Sequence, residues 1–329
     1  MMRFLRDQSI EVVGLDNLSP LPKHDFKLHR LSSLNFDVDK IEYNVPLHAD
    51  QSTFINLDLN DEKKLRNFFD NHEFDFVLHL AAQTGVRYSV EQPLAYIDNN
   101  IRAFCSLLEC CKESSVKNVL YSSSSSVYGL SNSYPFEEDA PTHHPLSVYA
   151  VTKKADELLA HSYSSLYALP TTGLRFFTVY GPWTRIDMAV YLFIKAINDG
   201  TSIKLFNNGE MYRDFTYVGD VAKAIKLLML KMHEDSQQEE IGVPYKIFNV
   251  GHEHPIKIMD LITTIEEALG KKAIIEERPI QAGDMIKTLA NTSKLYKEIN
   301  YIPDTNLKTG IEKTVKWYLE KCEKIYSYS

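Results

Sequence analysis

Cysteine is scarce in this chain of 329 residues, which carries four. Cys105, Cys110, Cys111 and Cys322 form no C-x-x-C pair and have no histidine at zinc-site spacing, which excludes a disulfide scaffold and a zinc centre. His143 with His144, and His252 with His254, lack anything to complete a ligand set and read as polar loop residues, so no metal is expected. No apolar run is long enough to span a bilayer, and the first residues lack a signal-peptide core. Positive charge is also short: 36 Lys and Arg stand against 44 Asp and Glu, a net charge of -8, which argues against nucleic-acid binding. A few local arginines can still hold a diphosphate on an acidic protein. The expected address is the cytoplasm, where thiols stay reduced.

What the chain does contain is short apolar runs alternating with amphipathic stretches. Ile10 to Leu15, Phe76 to Leu80, Val119 to Ser122 and Thr172 to Phe176 read as buried strands, because they lack in/out alternation. Residues 61–71, 93–115 and 147–168 read as helices, the second of them carrying three of the cysteines as buried thiols. Strands separated by helices of this length imply right-handed β-α-β crossovers and a parallel sheet. Beyond residue 176 the pattern becomes irregular and is punctuated by Pro182, Gly200, Gly209, Gly219, Gly242 and Gly251. The expected organisation is a cofactor-type domain over 1–175 and a smaller substrate-binding domain over 176–329, with segments returning to the first.

Tyr149 and Lys153 form a Y-x-x-x-K pair at the start of a helix, where a separation of four places both on one face. A nearby ammonium favours the phenolate, so the tyrosine can act as a general base. The pair alone is weak, since such spacing also occurs on solvated helix faces. It follows, however, a strand that ends in the hydroxyl-rich loop Tyr121 to Gly129, YSSSSSVYG. Strand end, hydroxyl loop and Y-x-x-x-K make a conjunction, and here the sequence resembles the extended short-chain dehydrogenase/reductases over nearly its whole length.

Within that group, HLAAQTGVRYSVEQPLAYIDNN (79–100), YAVTKK (149–154), GLRFFTVYGP (173–182) and RDFTYVGD (213–220) resemble the UDP-glucuronate 4-epimerases. The resemblance implies a Rossmann-like, doubly wound α/β fold, bound NAD, a UDP-sugar substrate and a homodimer. It implies catalytic roles for Tyr149 as base, Lys153 as its partner and ribose anchor, and Ser124 as the hydroxyl contact, with Ser125 and Ser126 sharing that register. Asp16, Asn17, Asp58, Leu59, Leu80, Ala81, Ala82 and Asn99 are implied cofactor contacts. Asp16 is the acidic residue that selects NAD over NADP.

For the substrate the resemblance assigns Arg213 to phosphate, Asp284 to the nucleotide ribose and Asn207, with Asn208, to the uracil, although turn-forming asparagine is an equal reading. Arg185, assisted by Thr178, points to a uronic acid carboxylate, with Arg87 a second candidate. Related dehydratases and decarboxylases carry an acid in the serine loop; none lies between Tyr121 and Gly129, so epimerisation is favoured over elimination. The expected reaction is UDP-glucuronate to UDP-galacturonate through a 4-keto sugar. The alternatives are UDP-glucose/UDP-galactose epimerisation and a non-catalytic sugar-nucleotide-binding relative.

One departure stands out. Members open with a strand and a G-x-x-G-x-x-G turn that carries the cofactor pyrophosphate. This sequence has no such turn and opens on MMRFLRDQ, which resembles the helix that follows it. The expectation is a truncated or misassigned start, with ladder groups on both neighbours of a central strand left without that partner.

Overall fold

The computed structural model describes residues 1–8, 10–20, 24–131, 133–235, 242–279 and 285–322. Among them run β1 (Val12–Asp16), β2 (Pro46–Ala49), β3 (Ser52–Asn56), β4 (Phe76–His79), β5 (Asn118–Ser124), β6 (Thr171–Phe176), β7 (Thr178–Tyr180), β8 (Ser202–Phe206), β9 (Tyr212–Tyr217), β10 (Tyr245–Val250), β11 (Pro255–Lys257) and β12 (Ile274–Arg278). The four strands read from sequence are β1, β4, β5 and β6, each within two residues of its expected ends. The contacts divide the chain into two compact units: Met1–Ser123, Ser147–Leu174 and Leu228–Ile247 make the first, and Ser124–Leu146, Arg175–Leu227 and Phe248–Ser329 the second.

The first unit has the mixed, mainly parallel α/β build of a Rossmann-like fold. Its strands form two part-sheets, ordered β1-β3-β2 and β10-β6-β5-β4. β1 pairs with β3 and β4 with β5 in parallel, whereas β2 runs antiparallel to β3. β1 and β4 each stand at the edge of a part-sheet, although both are apolar runs. One core nevertheless serves both: Leu57, Leu65, Phe68, Phe104, Leu108, Val119 and Tyr121 are packed together, with Val13, Leu15 and Val77 against them.

The helices that cover these sheets start and stop for local reasons. Asp61 caps the Glu62–Asp70 helix by accepting from Lys64 N, and its Leu65, Phe68 and Phe69 fall at helical spacing on the buried face. The expected helix over 93–115 is more broken than its periodicity implied. It runs as a turn at Pro93–Tyr96, a π-helical stretch at Ile97–Arg102 and a regular helix at Ala103–Lys112. The cause is visible at Asn100, whose buried side chain is pulled into contacts with another segment rather than left on the helix surface.

Beyond residue 176, where the sequence pattern is irregular, the described chain still forms regular elements. Helices at Ala189–Asp199, Val218–Asp235, Ile258–Leu269 and Leu307–Trp317 carry most of that half. The glycines mark their ends: Gly200 and Gly270 are left-handed C-caps. In the second unit β9 joins parallel β7 and antiparallel β11, while β12 pairs with β8 in parallel. No helix among the described residues is long and apolar enough to cross a membrane.

Candidate active site

Tyr149 is the second residue of the Val148–Tyr167 helix, whose start is fixed by Ser147: its Oγ accepts from Ala150 N at 3.1 Å. The Tyr149 ring meets the edge of Tyr96 at 6.3 Å and 80°. Tyr96 is itself buried and donates to the carbonyls of Thr84 and Gly85. The loop after β4 thus sets the tyrosine's orientation. Asn100 ties the same loop to the helix: its Oδ1 accepts from Gln83 N at 2.7 Å, and its Nδ2 donates to Gln83 O and to Thr152 Oγ1. Asn99, the residue expected from sequence, instead bonds back to Ala95 O.

One helical turn on, Lys153 is buried against β5. Its ammonium donates to Ser122 O at 2.9 Å and pairs with Asp156 Oδ2 at 3.1 Å. His79, at the end of β4, stacks on Phe104 and is held neutral, its pKa pushed down to about 3 first by burial and then by Lys153. Glu157 lies alongside, accepting from Ser123 Oγ at 2.6 Å and pairing with Lys154. Sequence reasoning missed these acids, because it searched only the serine loop; the helix brings Asp156 and Glu157 to the same strand from 34 residues away. Both carboxylates are committed to protein partners.

At the ends of β1 and β3 the expected adenosine contacts come together. Asn17 Nδ2 donates to Asp58 Oδ2 at 2.9 Å, and Asp58 Oδ1 accepts from Asn60 N. Asp16 accepts from Leu18 N and pairs with Lys27 at 2.9 Å. Leu59 packs against the first unit's core, while Leu80 and Ala81 are exposed just after β4, followed by half-buried Ala82. Carboxylate and amide acceptors at these strand ends suit ribose hydroxyls, and the Lys153 ammonium suits a second ribose. The donor set therefore fits the two nucleoside ends of a dinucleotide. Among the described residues no glycine-rich turn offers backbone amides to the diphosphate between them.

The second unit carries the serine turn. Ser124 caps a short 3-10 helix, Ser125–Tyr128, and its Oγ accepts from Ser126 N at 3.2 Å and Ser126 Oγ at 2.9 Å. A hydroxyl has two acceptor lone pairs and one proton. Both lone pairs of Ser124 are used, which leaves its proton to donate, and Ser126 acts as the support. The turn rests on a buried network: Arg175 donates to Tyr128 Oη at 3.0 Å and to Glu138 O, and Tyr128 donates to Asn249 Oδ1 at 2.6 Å. The turn closes at Gly129, whose φ of 58° is left-handed and where a Cβ would stand 2.0 Å from His144 O.

The substrate candidates of this unit are spread over separate segments. Arg185 is gripped by Asp187, Nε to Oδ1 at 2.9 Å and Nη2 to Oδ2. Thr178 begins β7. Arg213, on β9, donates to Tyr212 O and Ile286 O beside the buried Asp214, whose carboxylate accepts from the backbone of His252, Glu253 and Ala290. Asn207 and Asn208 are both left-handed, as the turn reading expects, yet they also line a cavity of about 400 Å³ with Glu277, Arg278 and Pro279. Glu277 and Arg278, from β12, were invisible to sequence because β12 is distant from the turn along the chain. Arg87 is exposed at the start of a short turn in the first unit. Asp284 lies outside the described residues.

Comparison with known proteins gives the family. Residues 1–251 match the NAD dependent epimerase/dehydratase family. Protein CapI of Staphylococcus aureus is 41% identical over 321 residues, covering 95% of this chain and 92% of that protein. UDP-glucuronate 4-epimerase 4 of Arabidopsis thaliana is 44% identical over 273 residues, 80% of this chain and 62% of its own length. The crystal structure of UDP-glucuronic acid 4-epimerase from Bacillus cereus, in complex with UDP-glucuronic acid and NAD, superposes with a TM-score of 0.83 at 29% identity, covering 97% of this chain and 94% of that one. With the tyrosine–lysine helix, the serine turn and the strand-end carboxylates in place, the chain belongs to the NAD-dependent epimerase/dehydratase family.

Proposed function

We propose that the chain is an NAD-dependent epimerase that interconverts UDP-glucuronate and UDP-galacturonate through a 4-keto sugar. The observation that carries this is that Tyr149 and Lys153 stand one turn apart on one helix, with the lysine held by Ser122 and Asp156. Both the Arabidopsis and the Bacillus relatives are UDP-glucuronate 4-epimerases by name.

Tyr149 removes the proton of the sugar 4-hydroxyl and later returns it, while Ser124 donates to the same oxygen. Bound NAD supplies the two-electron acceptor and donor for that carbon. Asp16, Asn17, Asp58 and Leu59 hold the adenosine end of the cofactor, and Leu80, Ala81, Ala82, Asn99 and Lys153 the remainder. Arg213 takes a phosphate, Asn207 the uracil and Asp284 the nucleotide ribose; Arg185, with Thr178, takes the uronate, and Arg87 stands as a second carboxylate partner. The first unit is thus assigned the cofactor and the second the UDP group. Asp156 and Glu157 are engaged with Lys153, Ser123 and Lys154, and the serine loop carries no acid, which supports epimerisation over elimination.

Anaerobic incubation with NAD and UDP-glucuronate, followed by chromatography of the nucleotide sugars, tests the assignment. UDP-galacturonate is the expected product. Turnover of UDP-glucose with none of UDP-glucuronate would move the assignment to the neutral-sugar epimerases.

We also propose a homodimer in the cytoplasm. Leu158 and Leu166 on the Val148–Tyr167 helix are 62% and 70% exposed, and Leu94 on the neighbouring turn is 72% exposed. Apolar residues this open on adjoining helices fit a second copy of the same face. The free thiols Cys105, Cys110 and Cys111 fit a reducing compartment. Light scattering across micromolar concentrations should give twice the chain mass; a monomer throughout would exclude the dimer.

A further inference from the structure

Lys153 is held more completely than a ribose anchor requires. Its ammonium donates to Ser122 O at 2.9 Å, to Asp156 Oδ2 at 3.1 Å and to Ser122 Oγ at 3.4 Å. An ammonium has three N–H donors; Ser122 O and Asp156 take two at ordinary length and the 3.4 Å approach to Ser122 Oγ is long, so the third can turn to a ribose hydroxyl. Both members of the ion pair are 1% exposed. The second carboxylate oxygen, Asp156 Oδ1, is buried and accepts no hydrogen bond from the described residues. A half-satisfied carboxylate in a dry interior is costly, and an apolar side chain of similar volume commonly serves stability as well. Folding alone therefore gives little reason for an acid at this position, whereas control of Lys153 does.

We propose that Asp156 is a positioning residue that keeps the Lys153 ammonium aligned for the cofactor ribose and for Tyr149. This rests on the assignment of Lys153 as the cofactor's anchor. Asp156 acts only through Lys153, three residues earlier on the same helix face.

The surroundings make Asp156 the group that titrates. Glu157, on its own helix, is bonded to Ser123 and Lys154. From β5, Tyr121 faces it as a neutral phenol, its pKa pushed well up chiefly by burial. From β4, His79 is held neutral down to about 3. Burial pushes the Asp156 carboxyl up to about 6, against the pull of Lys153 and with a further push from Glu157. Above that value the carboxylate grips Lys153; as pH falls through it, Asp156 takes a proton and the grip is lost.

Calorimetric titration of the full chain with NAD between pH 5 and 8 tests this without any variant. The NAD Kd is expected to rise about ten-fold from pH 7.5 to 5, with its midpoint near 6. Asp156→Asn keeps the shape and one acceptor oxygen; it is expected to bind NAD about ten-fold more weakly at pH 7.5 and to lose the response near pH 6. A flat wild-type profile overturns the proposal, as does an Asp156→Asn chain with wild-type affinity and pH response. Lys153→Ala separates the two levels. If it weakens NAD binding while Asp156→Asn does not, the positioning role alone falls. If it leaves NAD binding unchanged, or if the wild type binds no NAD, the anchor assignment falls and the proposal with it.

Discussion

Tyr149→Phe is expected to lower turnover of the UDP-sugar by about 10³-fold while leaving its binding within about two-fold. The substitution removes one oxygen and keeps the ring, so the edge contact with Tyr96 and the Ser147 cap persist. What is lost is the group that carries the 4-hydroxyl proton in both directions, and general acid–base groups contribute about 10²–10⁴-fold. The measurement is kcat from product chromatography set beside the UDP-sugar Kd from calorimetry. A large fall in kcat with an unchanged Kd locates the defect in the chemical step. Wild-type turnover would take Tyr149 out of the proton's path. A parallel collapse in binding would mean that the hydroxyl holds substrate rather than reacting with it.

How much of this was legible in the sequence follows from whether the signal is local. The strands β1, β4, β5 and β6 are short apolar runs, and such runs announce themselves without any knowledge of their neighbours. Tyr149 and Lys153 are one helical turn apart, so spacing alone placed them on one face. Two helices of the second half start without the usual side-chain cap, unlike Leu307–Trp317, which Asn306 caps. Ala189–Asp199 follows Met188 and Ile258–Leu269 follows Lys257, neither of which makes a side-chain cap. The periodicity was present in Val190, Tyr191, Ile194 and Ile197, within a stretch whose pattern the glycines make irregular.

The partners that complete the site were hidden for another reason. Asn100, His79 and Arg278 act on segments far away in sequence, and no spacing rule reaches them. Asp156 is the instructive exception, since it lies only three residues beyond Lys153. An acid at that distance from a lysine ordinarily reads as a solvated surface pair worth little. Burial of both side chains is what changes its meaning, and burial is a property of the packed molecule. The serine run shows the converse case. Sequence placed the hydroxyl contact at Ser124 with Ser125 or Ser126 sharing the register, and the bonds that Ser124 Oγ accepts from Ser126 N and Oγ are contacts that no spacing rule supplies.

The choice between a uronate and a neutral sugar rests on Arg185. Arg185→Ala is expected to lower kcat/KM on UDP-glucuronate by about 30-fold and on UDP-glucose by less than about two-fold. Hydrogen bonds to a charged partner contribute about 1.5–3 kcal/mol. The Arg185 side chain is 28% exposed, so screening favours the lower part of that range, about 2 kcal/mol. The pairing with Asp187 does not close the site to a second carboxylate. Asp187 occupies the Nε and Nη2 edge of the guanidinium, while a planar fork with five N–H donors presents a further edge through Nη1. A substrate carboxylate can therefore share the arginine without displacing the aspartate. Asp187 would then have a second effect: with Arg185 removed, its negative charge, now uncompensated, would oppose a uronate bound at that arginine's place. That repulsion has no counterpart for UDP-glucose, which is why the loss should be selective rather than general. Equal losses on both sugars would show that Arg185 supports the fold or the UDP group, and the carboxylate partner would then have to be sought at Arg87.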